Sequence, residues 1–250
     1  MPSVICRGVV AAVLLLALAG CGTAALQTAG GSTTATSSAS SAGSDTGSDS
    51  GSDSGTDTHT GPVTAVVVDS DAGDVALRPG PDGSATVAHE FRYTGEKPRL
   101  TQSLDGGTLR ITARCPQTQD RCSVTLTVTV PAAAASTVDL GAGGITVGAL
   151  KGDQTLTTAA GGVTGDGLVA AKVTAKTSAG SVTLRFAAAP TAVEARSSAG
   201  SVEVLVPTGR YRVDASTTVG KTRIDVPDSP GASATITARS TTGSVTVAPS

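Results

Sequence analysis

Two carboxylates are the best candidates for chemistry in this 250-residue chain, because they recur at one position of a repeat. Glu194 and Asp214 each stand six places before a glycine, Gly200 and Gly220. If those glycines mark successive strands of one stack, the carboxylates sit on adjacent strands, about 5 Å apart at the backbone. That resembles the carboxyl separation of a retaining glycosidase, and two like charges held together raise one pKa. Lys176 and Arg196 lie two places further along the same outward face and are placed to neutralise the pair. Only Tyr211 and Phe186 offer an aromatic surface nearby. The pair therefore reads as solvated charge on a sheet, and no catalytic residue is assigned. Glu203 and Arg223 share the next outward position and are expected to pair across strands.

Other reactive side chains are sparse. His89 is the only histidine in the part expected to fold, so no Ser/His/Asp set can be assembled. It reads as a residue of a half-exposed strand. The chain has no phosphate-loop pattern, no His-Glu-x-x-His and no clustered cysteine ligands. Asp45, Asp49, Asp53 and Asp57 recur beside Ser, Thr and Gly, which can suggest calcium loops. No ordered ligand set or twelfth-position Glu follows, so neither metal nor cofactor is expected.

The elements that must position these groups are the repeats. Six segments, GAGGITV, AAGGVTG, SAGSVTL, SAGSVEV, TVGKTRI and TTGSVTV, are anchored on Gly143, Gly161, Gly180, Gly200, Gly220 and Gly243. The intervals are 18, 19, 20, 20 and 23 residues. After the glycine come pairs such as Ile145/Val147, Val182/Leu184, Val202/Val204 and Val245/Val247. Before it come Val173/Ala175, Val193/Ala195, Val213/Ala215 and Ile236/Ala238. Both sets alternate with polar residues, the period of strands with one buried face. Each unit reads as strand, tight glycine turn, strand, and is too short to bury its apolar face without stacked neighbours. The expected fold is all-β, a β-solenoid or β-helix-like stack of roughly 20-residue rungs entered by an antiparallel part. Thr177, Ser197, Thr217 and Ser240 fall at one position and should form a structural hydrogen-bonding ladder. Pro227 and Pro230 force a bulged loop in the last, longest interval.

Residues 1–21 read as a targeting segment: Arg7, the apolar run Val9–Ala19, then Leu18-Ala19-Gly20-Cys21. The run has signal-peptide proportions and is too short for a stable membrane span. Leu-Ala-Gly-Cys resembles the bacterial lipobox, which implies cleavage before Cys21 and lipid on that cysteine. The alternative is an ordinary secretory signal with an incidental cysteine. Residues 22–62 hold Ser, Thr, Gly, Ala and Asp with almost no apolar bulk and read as a disordered tether, with a coil reach of roughly 30–40 Å. His59 falls within it.

Residues 63–250 are expected to form one β domain, with 63–131 as entry strands and 132–250 as repeats. Ser70-Asp-Ala-Gly echoes the later corners, and Asp105-Gly106-Gly107 marks a tight turn. In an exported protein Cys115 and Cys122 should pair and staple a hairpin. Their spacing is not that of a Cys-x-x-Cys redox site. A formal charge of −2 gives no sign of a nucleic-acid partner, and 2% aromatics without Trp fits a thin β architecture.

Cys115…Cys122, the following SVTLTVTVP and the repeated [Ser/Thr]-Ala-Gly-Ser-Val units together resemble the bacterial putative-adhesin family over about residues 63–250. That family is a domain of unknown function, β-solenoid-like and often carried on lipoproteins. The resemblance implies an extracytoplasmic, membrane-anchored binding or structural module with no catalytic residues to transfer. Cell-wall polymer or an envelope protein is the expected partner. Two other readings are a polysaccharide-acting enzyme using Glu194 and Asp214, and an accessory subunit or sensor of an envelope complex. Ser250 directly follows the strand Val245–Val247, so self-association through that open C-terminal edge is also expected.

Overall fold

A computed structural model describes residues 50–117 and 121–250. The targeting run, Cys21 and residues 22–49 of the expected tether lie outside the described residues. Among the described residues there are nineteen strands and no helix. The first seven are β1 (Ser50–Thr60), β2 (Ala65–Ala72), β3 (Val75–Gly80), β4 (Ser84–Thr94), β5 (Arg99–Asp105), β6 (Thr108–Arg114) and β7 (Cys122–Pro131). Strand pairs follow, each pair split by a glycine corner. They are β8 (Ala135–Ala142) and β9 (Ile145–Val147), β10 (Gln154–Ala160) and β11 (Val163–Leu168), and β12 (Lys172–Ala179) and β13 (Val182–Phe186). Next come β14 (Ala192–Ala199) and β15 (Val202–Val206), β16 (Arg212–Val219) and β17 (Thr222–Ile224), and β18 (Thr235–Thr242) and β19 (Val245–Pro249).

The strands form two mixed sheets. One has nine strands in the order β16-β18-β14-β12-β10-β8-β2-β6-β5; the other has ten, ordered β1-β4-β7-β3-β9-β11-β13-β15-β19-β17. The first strand of every pair lies in the nine-strand sheet and the second in the ten-strand sheet, so the chain crosses between sheets at each glycine. Period-2 alternation explains the core. Val173, Val193 and Ile236, then Ala175, Ala195 and Ala238, are buried from one sheet against Val182, Val202, Val245, Leu184, Val204 and Val247 from the other. Each such Val, Leu or Ile contributes about 1.5–3 kcal/mol by leaving water.

The corners need glycine for two reasons. Gly180 and Gly200 have φ of 146° and 145°, where L side chains are strained. An added Cβ would also stand 2.0 and 1.9 Å from the carbonyl oxygen of the neighbouring corner glycine. The column extends to Gly73, whose carbonyl is the near neighbour of Gly143. Beside it the hydroxyls of Thr158, Thr177, Ser197, Ser240 and Thr217 each donate to a glycine carbonyl of the adjacent strand pair, at 2.8–3.0 Å. The rungs of this ladder run from hydroxyl to backbone rather than between hydroxyls. It satisfies carbonyls that the tight turn would leave bare.

Four expectations are corrected. The entry part is not purely antiparallel: β2 pairs parallel with β6 and β8, and β3 with β7 and β9, while β1–β4, β4–β7 and β5–β6 are antiparallel. Residues 50–60 are not tether but strand β1, in register with β4 from Ser50↔Thr94 to Thr60↔Ser84. The Cys115–Cys122 disulfide, with Cα atoms 5.9 Å apart, does not staple a hairpin. It joins the end of β6 in one sheet to the start of β7 in the other.

The last strand pairs also depart from chain order. β18 and β19 insert between β14–β15 and β16–β17, so β16 and β17, not the C-terminal strand, are the outermost strands of their sheets. Residues 225–234, with Pro227 and Pro230, carry the chain back. That loop also covers part of the β16 edge, since Ser229 N–H donates to the Tyr211 carbonyl at 2.7 Å and Val213 N–H to Asp228 Oδ1 at 3.1 Å. These contacts shield β16 from pairing with other chains, while β19 is paired on both sides, by β15 and β17, so the C-terminal strand is not the expected open edge; the ten-strand sheet ends instead at β17, where Ile224 is exposed.

Candidate binding groove on the nine-strand sheet

The inserted pair decides where the charged side chains go. Glu194 and Asp214 both register with Thr237 of β18, one from each side, so a whole strand separates them. The expected glycosidase-like pair does not exist. Glu194 accepts from Arg196 Nε at 2.7 Å and lies 3.1 Å from Lys176 Nζ, while Asp214 pairs with Arg239. Partial burial resists ionisation of Glu194, but Lys176 and Arg196 together outweigh it and hold its carboxyl below the ordinary range. Such a group is a poor general acid at neutral pH. Glu203 and Arg223 are likewise parted by Thr246, and Arg223 pairs instead with Asp225.

The same register gathers the cations. Lys176 neighbours Arg196, and Arg196 neighbours Arg239, on β12, β14 and β18. The position becomes Ser216 on β16 at one end, and Thr157 then Asp139 on β10 and β8 at the other. These three exposed cations border a shallow open groove of about 570 Å³ that also takes in the hydroxyls of Ser178, Ser198, Thr218 and Thr241. No carboxylate and no aromatic ring lines it. Arg239 is not among the residues that the sequence pattern marks as candidates, yet it stands four places before Gly243, as Lys176 and Arg196 stand before Gly180 and Gly200.

The remaining candidates are structural. The His89 ring stacks on Phe91 at 4.7 Å, and His59 shares a hydrogen bond of 2.7 Å with Gln102. Asp53 is bound by Lys97 and Asp57 accepts from Gln102 Nε2 at 2.7 Å, so these two aspartates are held by separate partners, while Asp45 and Asp49 lie outside the described residues. No group of three His, Cys, Asp or Glu side chains could hold a metal among the described residues. At the disulfide end, Arg114 Nη1 reaches Asp69 Oδ1 at 2.8 Å and Asp71 Oδ1 at 3.0 Å, and Cys115 N–H donates to Asp71 Oδ2 at 2.9 Å. Arg114 holds the Asp69 carboxyl below its ordinary range.

No family model matches the chain, and no curated protein matches it. Several solved structures are similar to it. One, described as a putative cell adhesion protein from Clostridium sporogenes, is 9% identical with a TM-score of 0.45, over 79% of this chain and 100% of that one. A putative adhesin from Bacteroides fragilis is 12% identical with a TM-score of 0.34, over 79% and 97%. A putative lipid binding protein from Parabacteroides distasonis is 11% identical with a TM-score of 0.28, over 78% and 96%.

Proposed function

We propose that this chain is a non-enzymatic binding or scaffold module, adhesin-like, displayed on the outer face of the cell membrane and held there by lipid on Cys21. On this reading residues 1–21 are the removed signal and a Ser/Thr/Gly/Asp spacer follows. The β domain begins at β1 rather than at residue 63, and its strand pairs are the rungs of a β-solenoid. The observation that carries the reading is the in-register column: Lys176, Arg196 and Arg239 repeat one chemistry on neighbouring strands of an exposed face. Repeated weak contacts spaced about 4.8 Å apart bind an extended partner through multivalency rather than through one deep pocket. Against the enzyme reading, the carboxylate pair suggested by the repeat register, Glu194 and Asp214, is split by Thr237 and each of its acids is held by a cation.

Retention of the purified protein on isolated cell wall and on solubilised envelope proteins, read by mass spectrometry, tests this. Retention on wall polymer, or enrichment of a defined envelope protein, is the expected result, and the second would make the chain an accessory subunit. No retention on either, together with hydrolysis of a wall glycan that Glu194→Gln abolishes, would overturn it.

A further inference from the structure

The cation column has a feature that stacking in chain order would not produce. In chain order Arg196 would neighbour Ser216, and Arg239 would stand beyond it. The inserted pair puts Arg239 directly beside Arg196 and moves Ser216 to the edge. Three consecutive strands thus present a positive side chain at one position. Like charges side by side on a sheet face are destabilising. Glu194 and Asp214 offset them from one side only, and no carboxylate lines the groove on the other. Two carboxylates thus serve three cations, and the run keeps an excess of positive charge facing the groove.

We infer that the groove binds a linear acidic polysaccharide whose carboxylates repeat at about the spacing of the strands. The inference rests on the binding-module reading and names its ligand class. Arg196 gives Nε to Glu194, and Arg239 gives an Nη to Asp214. A guanidinium carries five N–H donors, so each arginine keeps a face for a ligand carboxylate. Beside the cations runs a second exposed column, Ser178, Ser198, Thr241 and Thr218, which both donates and accepts hydrogen bonds. A polymer of sugar acids offers carboxylate and hydroxyl in every unit, one for each column. A polyphosphate answers only the cations. With no aromatic ring in the groove, a neutral glycan finds neither a stacking platform nor a charge partner.

Affinity electrophoresis of the full-length protein through gels containing polygalacturonate, a neutral glucan or inorganic polyphosphate decides the matter, at low salt and near 0.3 M NaCl. Polygalacturonate should retard the protein, salt should weaken the effect, and Arg196→Gln with Arg239→Gln should reduce affinity at least about tenfold with the melting temperature retained. Ser178→Ala with Ser198→Ala should weaken binding further. Equal retardation by the neutral glucan or by polyphosphate would overturn the inference, as would a double arginine variant that binds like the wild type. If none of the three polymers binds while the protein is still retained on whole cell wall, this inference fails and the binding-module reading stands.

Discussion

At the corner glycines two independent constraints fall on one atom. A Cβ at Gly180 would meet the Gly161 carbonyl oxygen at 2.0 Å, and that oxygen already accepts the Thr177 hydroxyl at 2.8 Å. It cannot retreat without breaking the ladder, and φ of 146° is itself closed to alanine at low energy. Gly180→Ala should therefore cost about 2–5 kcal/mol, combining backbone strain with overpacking. Gly231→Ala is the control, since nothing lies within 4 Å of its Cβ position, and should be close to neutral. Urea unfolding of both variants measures the difference. These corners were legible in the sequence because glycine recurs at near-constant intervals between alternating apolar pairs. The partner of each hydroxyl was not, because spacing does not reveal which carbonyl a tight turn leaves exposed.

Strand β1 shows what patterning cannot reach at the scale of an element. SGSDSGTDTHT has no apolar side chain, and by composition it belongs to a tether. It docks because its partner supplies what it lacks. A Cβ at Gly51 would lie 2.4 Å from the Tyr93 ring, and one at Gly55 would lie 2.7 Å from the His89 ring, so both rings lie over bare backbone. Between them Asp53 reaches Lys97, and Asp57 and His59 share Gln102. The alternation of Gly with Asp is thus a code read by β4 and its surroundings, invisible without knowing that the two strands meet. Gly51→Val with Gly55→Val should drive the rings off and release the strand. Hydrogen exchange should then show lost protection over Ser50–Thr60 and along the facing edge of β4. The global unfolding free energy should change by less than about 1 kcal/mol, because β1 buries little apolar surface of its own. Loss of protection throughout both sheets would show instead that β1 belongs to the core.

Over the whole molecule, the repeats dictated two stacked sheets and left the order of the last two pairs undecided. Val213/Ala215 on β16 and Ile236/Ala238 on β18 offer the same apolar pattern, so either pair fits against Val193/Ala195 of β14. The choice falls to features outside the pattern. Residues 225–234 are long enough to pass back over one strand pair, and Tyr211, fully buried with its hydroxyl donating to the Pro207 carbonyl at 2.9 Å, fixes the approach to β16. Ile236 is also bulkier than Val213, and the interior position between two neighbours buries it fully, whereas Val213 on the outer strand stays partly exposed. Cysteine pairs read this order directly. Glu194 and Thr237 are ladder neighbours, about 5 Å apart at the backbone, within disulfide reach. Glu194 and Asp214 are two ladder steps apart, about 10 Å, beyond it. Glu194→Cys with Thr237→Cys should therefore cross-link under mild oxidation, and Glu194→Cys with Asp214→Cys should not. Stacking in chain order would reverse both results. It would also restore the adjacent carboxylates and break the cation run at Ser216, so one cross-linking experiment decides which charges face a ligand.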